Sequence, residues 1–334
     1  MSARHDHGSL SGLDALRGIA IIAVLTAHFW PQKTIHVPPA VAIAVAQFGV
    51  ILFFFLSGFL MYLTYSAEPR LFPYAVRRSF RILPMYWLSV LLIAVTAGGW
   101  SRRDVLSNAF FLTGPMHVTR MSGIYWTLYI EVLFYATVPL LLFIGRRAVL
   151  ASPYITTALF GTLWLAGYRV AVAPHYLIYC CLGLCFGAWY RKILSGRELS
   201  AAVATVVVFV GILPLVVPFP DIVSPLQGTA PLVCAVLLYA ALRFPFRLPL
   251  LAFFGWISYS LYLLHAIVYV EVTPRLFAQG YPDWIVSIVA TGLSIVISLG
   301  TFTFFETPTI DLGKRIIARF RKVAPNSGRY NVSK

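Results

Sequence analysis

An apolar stretch beginning at Leu13 holds three ionisable side chains, Asp14, Arg17 and His28. Eleven residues separate Arg17 from His28, and at about 100° per residue of α-helix they end about 20° apart on one face. Asp14, three residues before Arg17, falls close to the same stripe. A rise of about 1.5 Å per residue sets His28 roughly 16 Å along the helix from Arg17. In a hydrocarbon core roughly 30 Å thick, that is near or past the middle. An imidazole takes a proton from a hydroxyl near neutral pH, so His28 is a candidate general base. In the competing reading Asp14 and Arg17 anchor a helix end, and His28 is a hydrogen-bonded packing residue.

Polar residues recur at helical spacing in later apolar stretches. Thr127, Glu131 and Tyr135 lie four apart on one face, just after Trp126. A carboxylate there is paired, protonated or engaged with substrate. Ser258, Tyr262, His265 and Tyr269 form a second stripe, suited either to a cavity wall or to interhelical hydrogen bonds. Ser287, Thr291, Ser294, Ser298 and Thr301 form a third, whose small residues fit packing. Arg77, Arg78 and Arg81 precede another apolar stretch that begins near Leu83. Guanidinium groups hold phosphates in bidentate fashion, and Tyr86 and Trp87 beside them offer stacking faces for a base. A phosphorylated donor from the cytosol would dock at such a place, although three arginines also serve as plain cytoplasmic anchors.

These residues need a frame, and composition says which. The chain has 334 residues, 60% hydrophobic and 11% charged, with a mean hydropathy of +0.82. Soluble domains carry roughly 25% charged residues, so an all-α polytopic membrane protein is expected. Apolar runs place ten helices at about 13–31, 41–66, 83–100, 123–144, 148–168, 174–190, 199–217, 229–242, 250–272 and 284–305. The first is read as a retained helix, since no small-residue cleavage site follows it. With a cytoplasmic N-terminus, nineteen Lys and Arg fall on the inside and six on the outside, with Arg17 in the first helix. Both termini are therefore expected in the cytoplasm. This distribution of the +15 charge argues against nucleic acid as a partner.

The expected divisions are a cytoplasmic segment 1–12, a transmembrane domain 13–308 and a basic, frayed cytoplasmic tail 309–334. The tail's Asn331-Val332-Ser333 sequon faces the wrong side for glycosylation. An outside loop at about 101–122 contains an apolar run, Ala109–Thr113, that fits the membrane interface. Cys180, Cys181, Cys185 and Cys234 lie inside expected helices with no CxxC pair, as packing residues do, and no metal site is expected.

Six strings together resemble the acyltransferase 3 family of membrane-bound O-acyltransferases, over nearly the whole chain from Leu13 to about Pro308. They are Leu13–Gly18 followed by His28; Phe53–Phe59, with Ser57; and the arginine cluster with Ile82, Pro84, Tyr86 and Trp87. The others are Trp126–Leu128 with Glu131, Phe134 and Tyr135; Ser258–His265, with Tyr259 and Tyr262; and Glu306 with Pro308. The resemblance implies a ten-helix core, acyl-CoA (acetyl-CoA by default) as co-substrate, and a carbohydrate or lipid-linked acceptor at a bacterial inner membrane. It implies donor contacts among Arg77, Arg78, Arg81, Tyr86 and Trp87, and catalysis by His28, as base or as acyl acceptor, with Glu131, Asp14 and Arg17. Ser57, Trp126, Tyr135, Tyr259, Tyr262, His265 and Glu306 are the implied substrate contacts. Some members carry an added periplasmic hydrolase-like domain, and this chain is expected to act without one. A proton-coupled exporter is the rival class, since polar-lined bundles with a central His and Glu also move protons.

Overall fold

Helices form wherever apolar runs exceed about a dozen residues, and among the described residues there is no strand. The computed structural model describes residues 3–30, 38–165, 174–216, 225–244 and 248–323. Lys33, Arg169, Arg247 and the Asn331 sequon lie outside them. The long helices are α1 (Ala3–Phe29), α2 (Pro39–Ala67) and α3 (Leu71–Thr96), followed by a short α4 (Arg102–Ala109). Next come α5 (Tyr125–Ile144), α6 (Arg146–Leu165), α7 (Leu177–Tyr190), α8 (Gly196–Val216) and α9 (Pro225–Arg243). The chain continues through α10 (Pro249–Trp256), α11 (Ser258–Glu271), α12 (Thr273–Ala278), α13 (Asp283–Thr301) and α14 (Thr307–Val323). Among the described residues, six segments are long and apolar enough to cross a bilayer: Gly12–Phe29, Ala40–Ala67, Leu71–Thr96, Tyr125–Ile144, Ser258–Ala278 and Asp283–Arg321. Leu177–Tyr190 and Gly228–Arg243 are apolar but shorter.

In lipid, apolar side chains gain little by leaving their surroundings, so close backbone approach carries much of helix association. Among the described residues, two reciprocal glycine pairs meet the facing helix's backbone carbonyls in this way. On α1 and α10, a Cβ at Gly18 would stand 1.9 Å from the Leu251 carbonyl oxygen, and one at Gly255 would stand 1.9 Å from that of Asp14. On α2 and α7, a Cβ at Gly58 would meet the Cys180 oxygen at 2.0 Å, and one at Gly183 the Phe55 oxygen at 2.0 Å. The first contact sets the level of Asp14 and Arg17, and the second sets that of Ser57. Since the obstructing atoms are backbone, neither contact can yield by a rotamer change. Gly255→Val is therefore expected to yield aggregated protein on size-exclusion chromatography in detergent. A monodisperse variant with unchanged elution would contradict this packing.

The structure corrects three expectations. Arg77, Arg78 and Arg81 are not in a loop: α3 starts at Leu71, with Pro73 in its first turn, where a missing N–H costs no bond. The ninth expected helix breaks at Ile257 into α10 and α11. The tail is not frayed through 323, because α14 packs on α3, with Phe80 over Gly313 and Phe72 against Phe320 at 4.3 Å between ring centroids. Between α13 and α14 the backbone makes one π-helical turn, Phe302–Glu306, a widening often found at functional sites.

One expectation holds in detail. Ser287 and Ser294 donate to the carbonyls of Asp283 and Ala290, both at 2.8 Å, and are buried with Ser298 on α13, which packs against α11. In the loop containing Ala109–Thr113, Phe111 stacks on Tyr86 at 4.6 Å, while Phe110 and Leu112 stay exposed. Asn108 pins this loop, donating to Asp104 and Thr119 and accepting from the Met121 amide.

Candidate functional site

A cleft of about 830 Å³, open mouth included, is walled by α1, α2, α3, α5 and α11. Three guanidinium groups line it, those of Arg17, Arg78 and Arg81. Arg81 pairs with Glu306 at 2.6 Å, and Ser260 donates to the other Glu306 oxygen at 2.5 Å. Glu306 is fully buried and sits at the end of the π-helical turn. Arg17 holds Asp14 more loosely, at 3.4 Å, while Trp256 Nε1 donates to the second Asp14 oxygen at 3.0 Å. Arg78 lies 5.7 Å over the Tyr135 ring, and its buried Nε has no partner. The cleft thus gathers three guanidinium groups, of which Arg78 forms no ion pair among the described residues, and guanidinium groups are suited to holding phosphates.

Deeper in the cleft, Glu131 accepts hydrogen bonds from Ser57 Oγ at 3.0 Å and from the Tyr135 hydroxyl. Tyr74 donates to the Tyr135 carbonyl at 2.9 Å, so Tyr135 is held at both ends. Tyr259 donates to the Ile82 carbonyl at 2.8 Å, with Arg81 over its ring. Tyr262 and Thr127 share a hydrogen bond of 2.9 Å across the cleft.

His28 is not on the cleft wall but reaches it through aromatic contacts. Tyr262 lies 5.8 Å from His265, and His265 lies 5.0 Å edge-on from His28, between ring centroids. Tyr269 flanks His28 at 5.7 Å. His28 Nδ1 is 2.8 Å from the Val24 carbonyl, and His265 Nδ1 is 3.1 Å from that of Leu261. A carbonyl oxygen only accepts, so in the neutral rings each Nδ1 carries the hydrogen and each Nε2 keeps a free lone pair. The Nε2 of His265 is buried without a partner.

Several expected residues are placed elsewhere. Neither Asp14 nor Glu131 bonds to His28, so the orientation of that ring comes from its own helix. Arg77 turns from the cleft to Glu68 at 2.7 Å, which Arg321 of α14 also holds at 2.5 Å. Burial raises the Glu68 pKa, but the hydrogen bonds and charges of Arg321 and Arg77 outweigh it and hold the carboxyl below its usual range. Tyr86 donates to the Asn108 carbonyl and Trp87 Nε1 to that of Ala109, both at the end of α4. Trp126 packs on Phe54 and Tyr176. Sequence reasoning gave no role to Ser260, Tyr74 or Trp256. Ser260 sits in a Ser-Tyr-Ser string, but its bond to Glu306 joins residues 46 apart, which spacing does not reveal.

Cys180, Cys181, Cys185 and Cys234 are buried thiols, with Cys185 Sγ bonded to the Val149 carbonyl at 3.2 Å. Among the described residues, no three His, Cys, Asp or Glu are placed to share a metal ion.

Comparison with known proteins names this arrangement. Over 97% of this chain and 99% of the relative, the sequence is 24% identical to nodulation protein 10 of Rhizobium leguminosarum bv. viciae. It is 28% identical to the exopolysaccharide production protein ExoZ of Rhizobium meliloti (strain 1021), over 80% of this chain and 90% of that one. No solved structure matches the chain. Residues 10–303, which contain every cleft-lining residue, match the family model described as an acyltransferase domain. The chain is thus an acyl-transferring enzyme and belongs to the acyltransferase 3 family.

Proposed function

We propose that this integral membrane protein transfers an acyl group, acetyl by default, from acyl-CoA to a hydroxyl of a carbohydrate-type acceptor such as a surface polysaccharide or lipid-linked saccharide. In this reading ten helices span a bacterial inner membrane with both termini in the cytoplasm, where the arginine end of the cleft meets the CoA pool. The observation that carries it is the convergence of Arg17, Arg78 and Arg81 on one cleft whose inner wall leads, through Tyr262 and His265, to His28. Arg17 and His28 stand roughly 16 Å apart along α1, which suits a donor with its phosphates at one end of a long arm and its thioester at the other. The name of the exopolysaccharide production relative supports a saccharide acceptor.

The donor phosphates bind Arg78 and Arg17, with Arg81 presented by Glu306. Arg77, engaged by Glu68, takes no part, and neither do Tyr86 and Trp87. The free Nε2 of His28 takes the proton from the acceptor hydroxyl as its oxygen attacks the thioester carbonyl. The carbon–sulfur bond then breaks, and the imidazolium returns the proton to the departing CoA thiolate. Asp14 braces Arg17, and the Glu131–Tyr135–Ser57 group shapes the polar wall beside the arm.

The donor half of this reading is tested by equilibrium binding of labelled acetyl-CoA to the solubilised protein. Losing one charge-assisted contact of about 1.5–3 kcal/mol should weaken binding by about ten- to a hundredfold in Arg78→Gln. Equal affinity in Arg78→Gln and wild type would contradict the assignment.

A further inference from the structure

A second hollow, of about 770 Å³ with its open side included, lies between α3 and α5. Its walls are mostly apolar, among them Leu71, Leu83, Val132 and Pro139, and Ala75, Ser79 and Ala136 on its rim are exposed. Both helices are long and apolar enough to cross the bilayer, so this exposed side faces lipid rather than water. The hollow shares Arg78, Ile82 and Tyr135 with the cleft, which makes it a side window onto the candidate donor site.

Arg78 stands at that shared wall, and its situation is unlike that of its neighbours. Arg17 has Asp14, Arg77 has Glu68 and Arg81 has Glu306. No carboxylate pairs with Arg78 among the described residues, and its Nε is buried without a hydrogen-bond partner. A cation within a membrane requires an anionic counterpart or water. At about 1.5 Å per residue, the 26 residues of α3 span about 39 Å, roughly 9 Å more than the hydrocarbon core. Arg78, seven residues from the helix start, then lies about 6 Å inside the core boundary, a depth from which an arginine stem reaches the headgroups.

We propose that the α3–α5 hollow holds one acyl chain of an anionic glycerophospholipid of the surrounding leaflet, with the lipid phosphate on Arg78. The occupant follows from the surroundings: the apolar walls open onto acyl chains, and Arg78, the cation that lines the hollow, has no carboxylate partner among the described residues and lies within reach of their phosphates. A consequence, which rests on the donor reading above, is that lipid and acyl-CoA compete for Arg78. The lipid neutralises the guanidinium in the resting enzyme and must leave before the donor binds. With the site roughly 90% occupied by lipid, apparent donor affinity falls about tenfold.

The test uses full-length protein in neutral detergent, titrated with phosphatidylglycerol or phosphatidylcholine, with retained lipid counted by native mass spectrometry. Wild type should retain one more phosphatidylglycerol than phosphatidylcholine. That extra lipid should be lost in Arg78→Gln and in either of two hollow-filling variants, Ala75→Trp and Ala136→Trp. Neither alanine lines the cleft, so both variants should bind labelled acetyl-CoA normally in detergent, without the tenfold loss that phosphatidylglycerol causes in wild type. Equal lipid retention in wild type and the two tryptophan variants would overturn the proposal, as would the absence of a phosphatidylglycerol preference. Displacement of the lipid by a long-chain acyl-CoA but not by acetyl-CoA would also overturn it, giving the hollow to the donor's own chain. Failure of the donor reading looks different: acetyl-CoA binding would be absent while lipid retention stayed as described.

Discussion

His28→Ala is expected to lower acyl transfer by about 10²–10⁴-fold while leaving the protein folded and still able to bind acetyl-CoA. That range is the usual worth of a positioned general base. The expectation of intact folding rests on geometry. The ring bonds only to the carbonyl of its own helix, four residues back, and its remaining contacts are edge-on aromatic ones to His265 and Tyr269. Its partial exposure means that truncation leaves no sealed cavity. His28→Ala therefore separates chemistry from stability. Full activity in this variant would remove the base from the scheme, and loss of acetyl-CoA binding would place His28 in donor recognition instead.

The second large effect is expected at Glu306 and falls on stability. Its carboxylate is fully buried, between Arg81 and Ser260. Removing one partner of a buried ion pair costs about 3–5 kcal/mol, because the other charge is left without compensation. Arg81 keeps 28% of its side chain exposed toward the cleft, which places Glu306→Ala near the lower end, at about 3 kcal/mol. Thermal unfolding in detergent should show this loss, with a smaller one for Glu306→Gln, which keeps its hydrogen-bonding capacity. The double variant Arg81→Met, Glu306→Leu should recover most of the stability, since well-packed apolar pairs replace buried ion pairs with little loss. Donor binding should stay weak in that variant. Glu306→Ala unfolding at the wild-type temperature would show that the pair does not hold the π-helical turn.

How much of this was legible beforehand depended on whether the relation was local. The face shared by Thr127, Glu131 and Tyr135 follows from 3.6 residues per turn, and the Glu131–Tyr135 bond is one step of that ladder. Apolar runs likewise marked where helices lie, but not their starts, since α1 begins at Ala3 and α3 at Leu71, well before the apolar runs do. The start of α3 was misplaced because three arginines read as a loop, whereas a helix end at a membrane surface tolerates them. Nothing in the spacing separates Arg77 from Arg78 and Arg81. The difference arises because Glu68 and α14 capture Arg77, and that capture is tertiary. The link from Tyr262 through His265 to His28 joins α11 to α1 across more than 230 residues and was not readable as a contact. The glycines were visible as letters, but their pairing across helices was not.

The central claim is that acyl-CoA is the donor and His28 the base. The most direct measurement is transfer of label from radioactive acetyl-CoA in membranes containing this protein, with His28→Ala membranes as the control. The account predicts label in a saccharide or lipid-linked saccharide fraction with the wild type, and a loss of at least about a hundredfold with the variant. Equal labelling by the two, or wild-type membranes that bind acetyl-CoA with added acceptor and still transfer nothing, would contradict it.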